Sequence, residues 1–252
     1  MMPGLRQRLL RGDTLLGCMV TLDAAPTVET LCALGFDWLF IETEHAPLLA
    51  DAVQRIVQTA GTTPCLVRVA SGDEVSIKRA LDAGAAGIIV PQVNSAAQAR
   101  AVVSHAKFPP AGTRGIGLTR ASGYGLRFAE YLAEANDTTC VVVQAEHIAA
   151  VGEIEAIAAV PGVDAVFVGP YDLSASLDRT GQLEDPLVRS AIDRVRDACL
   201  AQGRRLGYYG GTPAEVVPRR SEGYTLLCCS TDISIFAAAA RQLLGALRPT
   251  GG

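Results

Sequence analysis

The chain has 252 residues, 49% of them apolar, and a formal charge of −4 from 22 Lys and Arg against 26 Asp and Glu. That is enough apolar sequence to bury one sizeable core, so a single domain over residues 1–252 is expected. The dispersed, slightly acidic charge excludes a phosphate-backbone footprint, and with it a nucleic-acid partner, and no segment is long and apolar enough to span a membrane.

Met1 to Gly12 carries charge but lacks the apolar stretch and small-residue cleavage site of a secretory signal. Short apolar runs then alternate with helix-patterned stretches. The runs are Leu16–Leu22, Trp38–Ile41, Cys65–Val69, Gly87–Val93, Cys140–Ala145, Ala165–Val168, Leu206–Tyr209 and Thr225–Cys229. They are apolar on both faces and too short for helices, as parallel strands covered on each side must be. Between and after them, Thr27–Leu34, Ala52–Thr59, Glu74–Ala83, Ala96–His105, His147–Ala159, Pro186–Ala201, Pro213–Arg219 and Ile233–Leu247 have helical composition or spacing. Eight strands, each followed by a helix, predict an α/β fold closed as a single (β/α)8 TIM barrel. A doubly wound open sheet is the alternative, but no G-x-G-x-x-G follows a strand at the start of a helix.

The rhythm breaks after His105, where Phe108 to Ser122 form a Gly- and Pro-rich excursion carrying Arg114 and Arg120. A disordered insertion is the plain reading, and a loop that covers an anionic ligand with its arginines is the functional one. The seven cysteines (Cys18, Cys32, Cys65, Cys140, Cys199, Cys228, Cys229) show no C-x-x-C pair and mostly sit in apolar runs. They read as small buried hydrophobes in a reducing compartment, so a soluble cytoplasmic protein is expected.

Barrel chemistry gathers where strands end. Strand two ends in Glu42, Thr43, Glu44 and His45, strand three in Arg68, strand five in Gln144 and Glu146, and strand six leads through Gly169 into Asp172. Alternation puts Glu42 with Phe40, Arg68 with Leu66, and Gln144 with Glu146 on common faces. Glu42, His45, Arg68, Glu146 and Asp172 then crowd one mouth, which is costly unless they pair with one another or hold a metal. A structural ion-pair network satisfies the first option. Glu146 and Asp172, on different strands with open positions between them, satisfy the second for a hard cation such as Mg²⁺ or Mn²⁺. Such a cation, chelated by a 2-oxo acid, stabilises the enolate left when the adjacent C–C bond breaks, and Arg68 adds fixed positive charge beside it. Of the three histidines, His105 lies in a helix and His147 should face away from Glu146, whereas His45 follows two glutamates, one of which can orient its ring for acid–base work.

Four segments together resemble the metal-dependent class II pyruvate aldolases of the HpcH/HpaI aldolase/citrate lyase family: Gly35-Phe-Asp-Trp-Leu-Phe-Ile-Glu-Thr-Glu-His-Ala-Pro47, Phe108-Pro-Pro-Ala-Gly-Thr-Arg-Gly-Ile-Gly117, Val143-Gln-Ala-Glu146 and Val168-Gly-Pro-Tyr-Asp-Leu-Ser-Ala-Ser176. Val67-Arg68 and Leu81-Asp82-Ala-Gly84 match in position and order, so the resemblance spans nearly the whole chain. It implies a barrel of the phosphoenolpyruvate/pyruvate-domain type, usually hexameric, with the last helix exchanged between paired subunits. It further implies that Glu146 and Asp172 hold Mg²⁺, Mn²⁺ or Co²⁺, that Arg68 stabilises the enolate, that Glu42 and His45 form the acid–base relay, and that Gln144 and Gly169 line the pyruvate site. Asp82 would approach a neighbouring subunit's site, and Arg120 is expected among the substrate contacts. The reaction implied is reversible cleavage of a 4-hydroxy-2-oxo acid, such as a 2-keto-3-deoxy sugar acid or 4-hydroxy-2-oxoheptanedioate, to pyruvate and an aldehyde. The chain departs from the family in having Glu42 where Asp is frequent, Met19 where a larger aromatic is frequent, and His147 where Thr is more usual. A citrate-lyase-like or decarboxylating C–C lyase, or a barrel that only binds a small acid, are the competing readings, and no basic cluster for a CoA phosphate tail is present.

Overall fold

The computed structural model describes residues 3–248. Helix α1 (Leu5–Arg11) precedes strand β1 (Leu15–Val20), and the chain then alternates: α2 (Ala25–Ala33), β2 (Trp38–Glu42), α3 (Ala50–Ala60), β3 (Cys65–Arg68), α4 (Glu74–Asp82), β4 (Gly87–Val90) and α5 (Ala96–Ala106). A loop with a 3₁₀ turn at Arg120–Ser122 leads to α6 (Phe128–Thr138) and β5 (Cys140–Ala145). Helices α7 (Ile148–Gly152) and α8 (Ile154–Ala158) precede β6 (Ala165–Val168), and α9 (Pro170–Ser176) and α10 (Pro186–Ala201) precede β7 (Arg205–Gly210). Helix α11 (Pro213–Val216) with a 3₁₀ turn, β8 (Leu226–Thr231) and α12 (Asp232–Leu247) complete it. All eight strands are parallel and β8 returns to pair with β1, so the expected barrel is closed.

Period-two alternation sorts each strand between two cores. Leu39, Ile41, Val67, Ile88, Val141 and Val166 point outward against the helices. Trp38, Phe40, Leu66, Ile89, Val142 and Phe167 fill the barrel. The aromatics fit because glycines face them: a Cβ on Gly17 would run into the Trp38 ring, and one on Gly207 into the Phe167 ring. The rings pack in series, Trp38 to Phe40 and Phe40 to Phe167, each with centroids 5.9 Å apart.

Helix α1 closes the end where strands begin. Leu5 and Leu9 join the interior cluster, Arg6 Nε donates to Asp164 Oδ1 at 2.9 Å, and Arg8 Nη2 donates to Asp37 Oδ1 at 2.6 Å. With that end plugged, the opposite mouth is where a ligand can enter.

Helices α1, α6 and α9 fall outside the eight expected from the sequence, and the stretch expected as one helix from His147 to Ala159 breaks at Glu153, which caps one short helix and starts the next. All seven thiols are free, five of them buried. Among the described residues no helix is long and apolar enough to cross a membrane. Helix α12 stands off the barrel: of its residues only Asp232 is buried, while Phe236 is 68% and Leu247 72% exposed.

Candidate active site

Because Trp38 and Phe40 point inward, so does Glu42 at the end of β2, where it is 2% exposed. Register places Arg68 of β3 directly beside it. Arg68 Nε donates to Glu42 Oε2 at 2.6 Å, and its Nη2 contacts the same oxygen. Glu42 Oε1 accepts the backbone N–H of Glu44 at 2.6 Å and of His45 at 3.0 Å. The Glu42 carboxylate is thus occupied by a guanidinium and two amides, and it pins the turn that carries His45. The arginine also lies over the Phe40 ring, 5.5 Å from its centroid.

This alters the expected pairing. The carboxylate facing the His45 ring is Glu44, 3.8 Å from Nε2, and Glu42 reaches only the His45 backbone. Glu44 Oε2 also lies 3.3 Å from Arg68 Nε, yet it is buried without a hydrogen bond. Burial raises the Glu44 carboxyl above its usual range and Glu42 and Asp172 add to that, while Arg68 and His45 oppose it.

Across the mouth, Glu146 is 1% exposed. Its Oε1 accepts the backbone N–H of Gln92 at 2.7 Å, and its Oε2 accepts from Gln144 Nε2. Gln92 has a φ of 54°, a left-handed conformation that non-glycine residues avoid, so the loop after β4 is bent to deliver that amide. Even so, burial pushes the Glu146 carboxyl up to about 7; the Gln92 amide and Arg68 resist the shift, and Glu44 and Asp172 add to it. Asp172 is exposed in the first turn of α9, which starts on Pro170 directly after Gly169. A Cβ on Gly169 would lie 2.7 Å from both Gln144 Nε2 and Glu146 Oε2, so only glycine lets β6 pass this pair.

The donor set fits a hard divalent cation. Carboxylates converge, among the described residues no Lys, Arg or His forms an ion pair with Glu146, and two buried oxygens, Glu44 Oε2 and Gln144 Oε1, lack hydrogen-bond partners. Among the described residues no cluster of three or more His, Cys, Asp or Glu surrounds a common point. The protein would therefore supply Glu146 and Asp172 and leave the remaining positions to water and substrate oxygens. A cavity of about 450 Å³ opens here, lined by Glu42, His45, Arg68, Gln144, Gly169 and Asp172 and walled by Met19, Phe40, Phe167, Tyr171 and Tyr209.

Four residues singled out in the sequence lie elsewhere. Asp82 ends α4, and Arg114 Nη2 donates to it at 2.7 Å. Arg120 Nη1 donates to the carbonyl of Ala83 at 3.0 Å and borders a depression with Pro64, Ala86 and Thr139, which precede β3, β4 and β5. Both Asp82 and Arg120 thus sit at the end where strands begin, away from their own chain's mouth, so any contribution to a substrate site requires a second subunit. Arg114 is buried over the Phe108 ring at 4.6 Å and is no cover for an anion. His147 caps α7, its Nδ1 accepting the Ala149 amide at 3.1 Å. Of the two glutamates that precede His45 in the sequence, it is Glu44, in the turn beyond β2, that the structure sets against the ring.

The sequence profile of the HpcH/HpaI aldolase/citrate lyase family matches residues 15–209. The 2-dehydro-3,6-dideoxy-6-sulfogluconate aldolase of Pseudomonas putida is 40% identical, covering 95% of each chain. The 4-hydroxy-2-oxovalerate aldolase of Rhodococcus jostii is 43% identical over 79% of each. A crystal structure of an HpcH/HpaI aldolase/citrate lyase family protein from Burkholderia cenocepacia superposes with a TM-score of 0.93 at 37% identity, covering 97% of this chain and 98% of that one. With a matching barrel, a mouth of converging carboxylates and a profile match across seven of its eight strands, the chain belongs to the HpcH/HpaI aldolase/citrate lyase family.

Proposed function

We propose that this carbon–carbon lyase cleaves a 4-hydroxy-2-oxo acid reversibly to pyruvate and an aldehyde, with a divalent cation held by Glu146 and Asp172. The observation that carries the reading is Glu146, buried with its carboxyl pushed up to about 7 beside further carboxylates, a cost that a bound cation removes. When bound, Mg²⁺, Mn²⁺ or Co²⁺ supplies Lewis acidity to the keto and carboxylate oxygens of a 2-oxo acid. Arg68, held by Glu42 and Phe40, sets a fixed positive charge beside the oxygen that becomes negative as the bond breaks. Gln144 and the Gly169 backbone form the floor under pyruvate, and His45 with Glu44 handles the proton. In cleavage the C3–C4 bond breaks with its electron pair left on C3, the C4 hydroxyl loses its proton as the aldehyde forms, and C3 takes one up, so no other reactant is needed.

The named relatives support the substrate class, since both act as aldolases on acids of this kind. The test is pyruvate release from a panel of 4-hydroxy-2-oxo acids, coupled to lactate dehydrogenase, before and after chelation. Turnover that chelator abolishes and Mg²⁺ or Mn²⁺ restores is expected; no pyruvate from any of them overturns the proposal.

Two further expectations belong to this site. Arg68→Lys should lower kcat by about 10²–10³-fold, because an ammonium keeps the charge but not the fork that both grips Glu42 and faces the substrate. A variant within a few-fold of wild type shows that charge alone suffices. Gly169→Ala should lower kcat by about 10²-fold with little change in melting temperature, since its methyl displaces Gln144 and Glu146 by around an ångström; unchanged turnover shows that their placement is not critical.

The proposal extends to a homo-oligomer, hexameric by family resemblance, in the cytoplasm. Its support is α12, whose Ile235, Phe236, Leu243, Leu244 and Leu247 stand exposed on a helix the barrel does not cover. Light scattering should give a multiple of 26.3 kDa, and Phe236→Asp should reduce it; a monomer at micromolar concentration overturns this part, and with it any role of Asp82 or Arg120 at a partner's site.

A further inference from the structure

The ionisable groups of the mouth come from β2, β3, β5 and the start of α9, whereas the half formed by β7, β8 and β1 is built otherwise. There the cavity is lined by Tyr209, Thr231, Met19 and Thr21, with Tyr171 leaning on Tyr209 at a centroid distance of 6.5 Å. No lysine or arginine of the same chain lines this wall. Of its hydroxyls, those of Thr21, Tyr171 and Thr231 have their protons committed. Thr21 Oγ1 donates to Asp232 Oδ1 at 2.6 Å, Tyr171 Oη donates to Glu215 Oε2 at 3.1 Å, and Thr231 Oγ1 donates to Ser234 Oγ at 2.8 Å.

The accepting carboxylates are fixed in turn. Asp232 is 4% exposed and takes the backbone amides of Thr21, Leu22 and Ile233. Glu215 takes the Gly211 amide at 3.1 Å and the Thr212 hydroxyl at 2.9 Å. Turning the Thr21 or Tyr171 proton to the cavity gives up a charge-assisted hydrogen bond to a carboxylate, so both present lone pairs to a ligand. The cationic side chains of the cavity are on the other half: Arg68 is held by Glu42, and the His45 ring faces Glu44.

We infer that this wall selects the aldehyde: it takes a neutral, hydroxylated aldehyde whose hydroxyls donate to Thr21 and Tyr171, and rejects aldehydes that end in a carboxylate, sulfonate or phosphate. An anionic tail would meet oxygen lone pairs backed by Asp232 and Glu215, with only the Tyr209 hydroxyl among the wall's side chains able to donate. Discrimination of this kind comes as much from repelling the wrong group as from binding the right one. Tyr171 and Thr21 are then the specificity-determining residues, and Glu215 and Asp232 their positioning residues.

The inference rests on the aldolase reading, and the experiment separates the two. In deuterated water with Mg²⁺ or Mn²⁺, exchange of the pyruvate methyl protons needs no aldehyde; its absence overturns the aldolase reading and the wall's role with it. With exchange present, kcat/KM for addition of pyruvate to glyceraldehyde should exceed that for 4-oxobutanoate, an aldehyde of similar length, by at least about 10²-fold. Tyr171→Phe and Thr21→Val should each lower the glyceraldehyde-to-propanal ratio of kcat/KM by about three- to tenfold, the worth of one hydrogen bond. Glu215→Gln, whose amide can donate to Tyr171 and turn the phenol proton to the cavity, should raise the 4-oxobutanoate-to-glyceraldehyde ratio, which a merely structural residue would not do. Equal or better use of 4-oxobutanoate by the wild type, or ratios that none of the three variants moves, overturns the inference.

Discussion

Glu146→Gln is expected to abolish turnover, by at least about 10³-fold as the cation's charge stabilisation is lost, and yet to make the protein more heat-stable than wild type in chelator at pH 8. The two effects share one cause. In the folded chain the Glu146 carboxyl is raised from 4.5 to about 7, mainly by burial. A group raised on folding contributes stability that is complete below its unfolded value near 4.5 and is lost as pH rises through about 7. At pH 8 without a cation the wild type therefore carries an ionised buried carboxylate, and the neutral amide, which can still accept from the Gln92 amide, does not. The gain should vanish near pH 5, where Glu146 is protonated in the folded wild type. A divalent cation should raise the wild-type melting temperature at pH 8, more weakly as pH falls below 7, and leave Glu146→Gln unmoved. Asp172→Asn provides the contrast: Asp172 is exposed, so the variant should lose the cation response without gaining stability in chelator. Melts at pH 5, 6, 7 and 8, with and without Mn²⁺, decide it, and a Glu146→Gln protein that still responds to Mn²⁺ removes Glu146 from the metal site.

The barrel and the inward set were legible because a strand buried on both faces still alternates. Trp38, Phe40 and Glu42 share a parity, and once eight parallel strands close, one parity is inside and the other meets helices. What the sequence hid has identifiable reasons. Helix α6 buries only Ala135, so it lacks the apolar period used to find helices, and its Ala- and Glu-rich composition was the available signal. Helices α1 and α9 have seven residues each, too few for a period to show. Arg114 and Arg120 sit in a Gly-rich loop that suggested an anion cover, but their partners, Asp82 and the Ala83 carbonyl, lie 32 and 37 positions away, a pairing that local pattern does not report.

The same limit explains the exchange of roles between Glu42 and Glu44. Alternation holds only to the end of β2. Beyond it the chain turns, and the turn decides which side chain meets the imidazole. Glu42, anchored by two amides of that turn, becomes its support, and Glu44 becomes the neighbour of the ring. Parity thus predicts which residues reach the mouth, and the loop's hydrogen bonds determine which of them act together.

That division sets the outcome for His45. Retro-aldol cleavage must move a proton off the C4 hydroxyl and deliver one to C3, and His45 is the histidine that lines the cavity. His45→Ala should cut kcat by about 10²–10⁴-fold, the usual cost of a lost general base. Cation affinity, read from the Mn²⁺-induced rise in melting temperature, should be nearly intact, because the ring is no ligand of the Glu146 and Asp172 pair. The acid-side limb of the pH–rate profile at saturating cation should go with it. The two glutamates then separate. Glu44→Gln removes the charge that faces the ring and should reproduce part of the His45→Ala loss, but added to His45→Ala it should cost little more, as expected for groups acting as a unit. Glu42→Gln breaks the clamp on Arg68 and on the turn, so its loss should persist in the His45→Ala background. Glu42→Asp keeps the charge but is one methylene shorter, and should fall between wild type and Glu42→Gln according to how far the turn can follow it. If His45→Ala retains wild-type kcat and an unchanged pH profile, the proton passes elsewhere, and Glu44, half-buried with its unpartnered Oε2 3.3 Å from Arg68, is the next group to test.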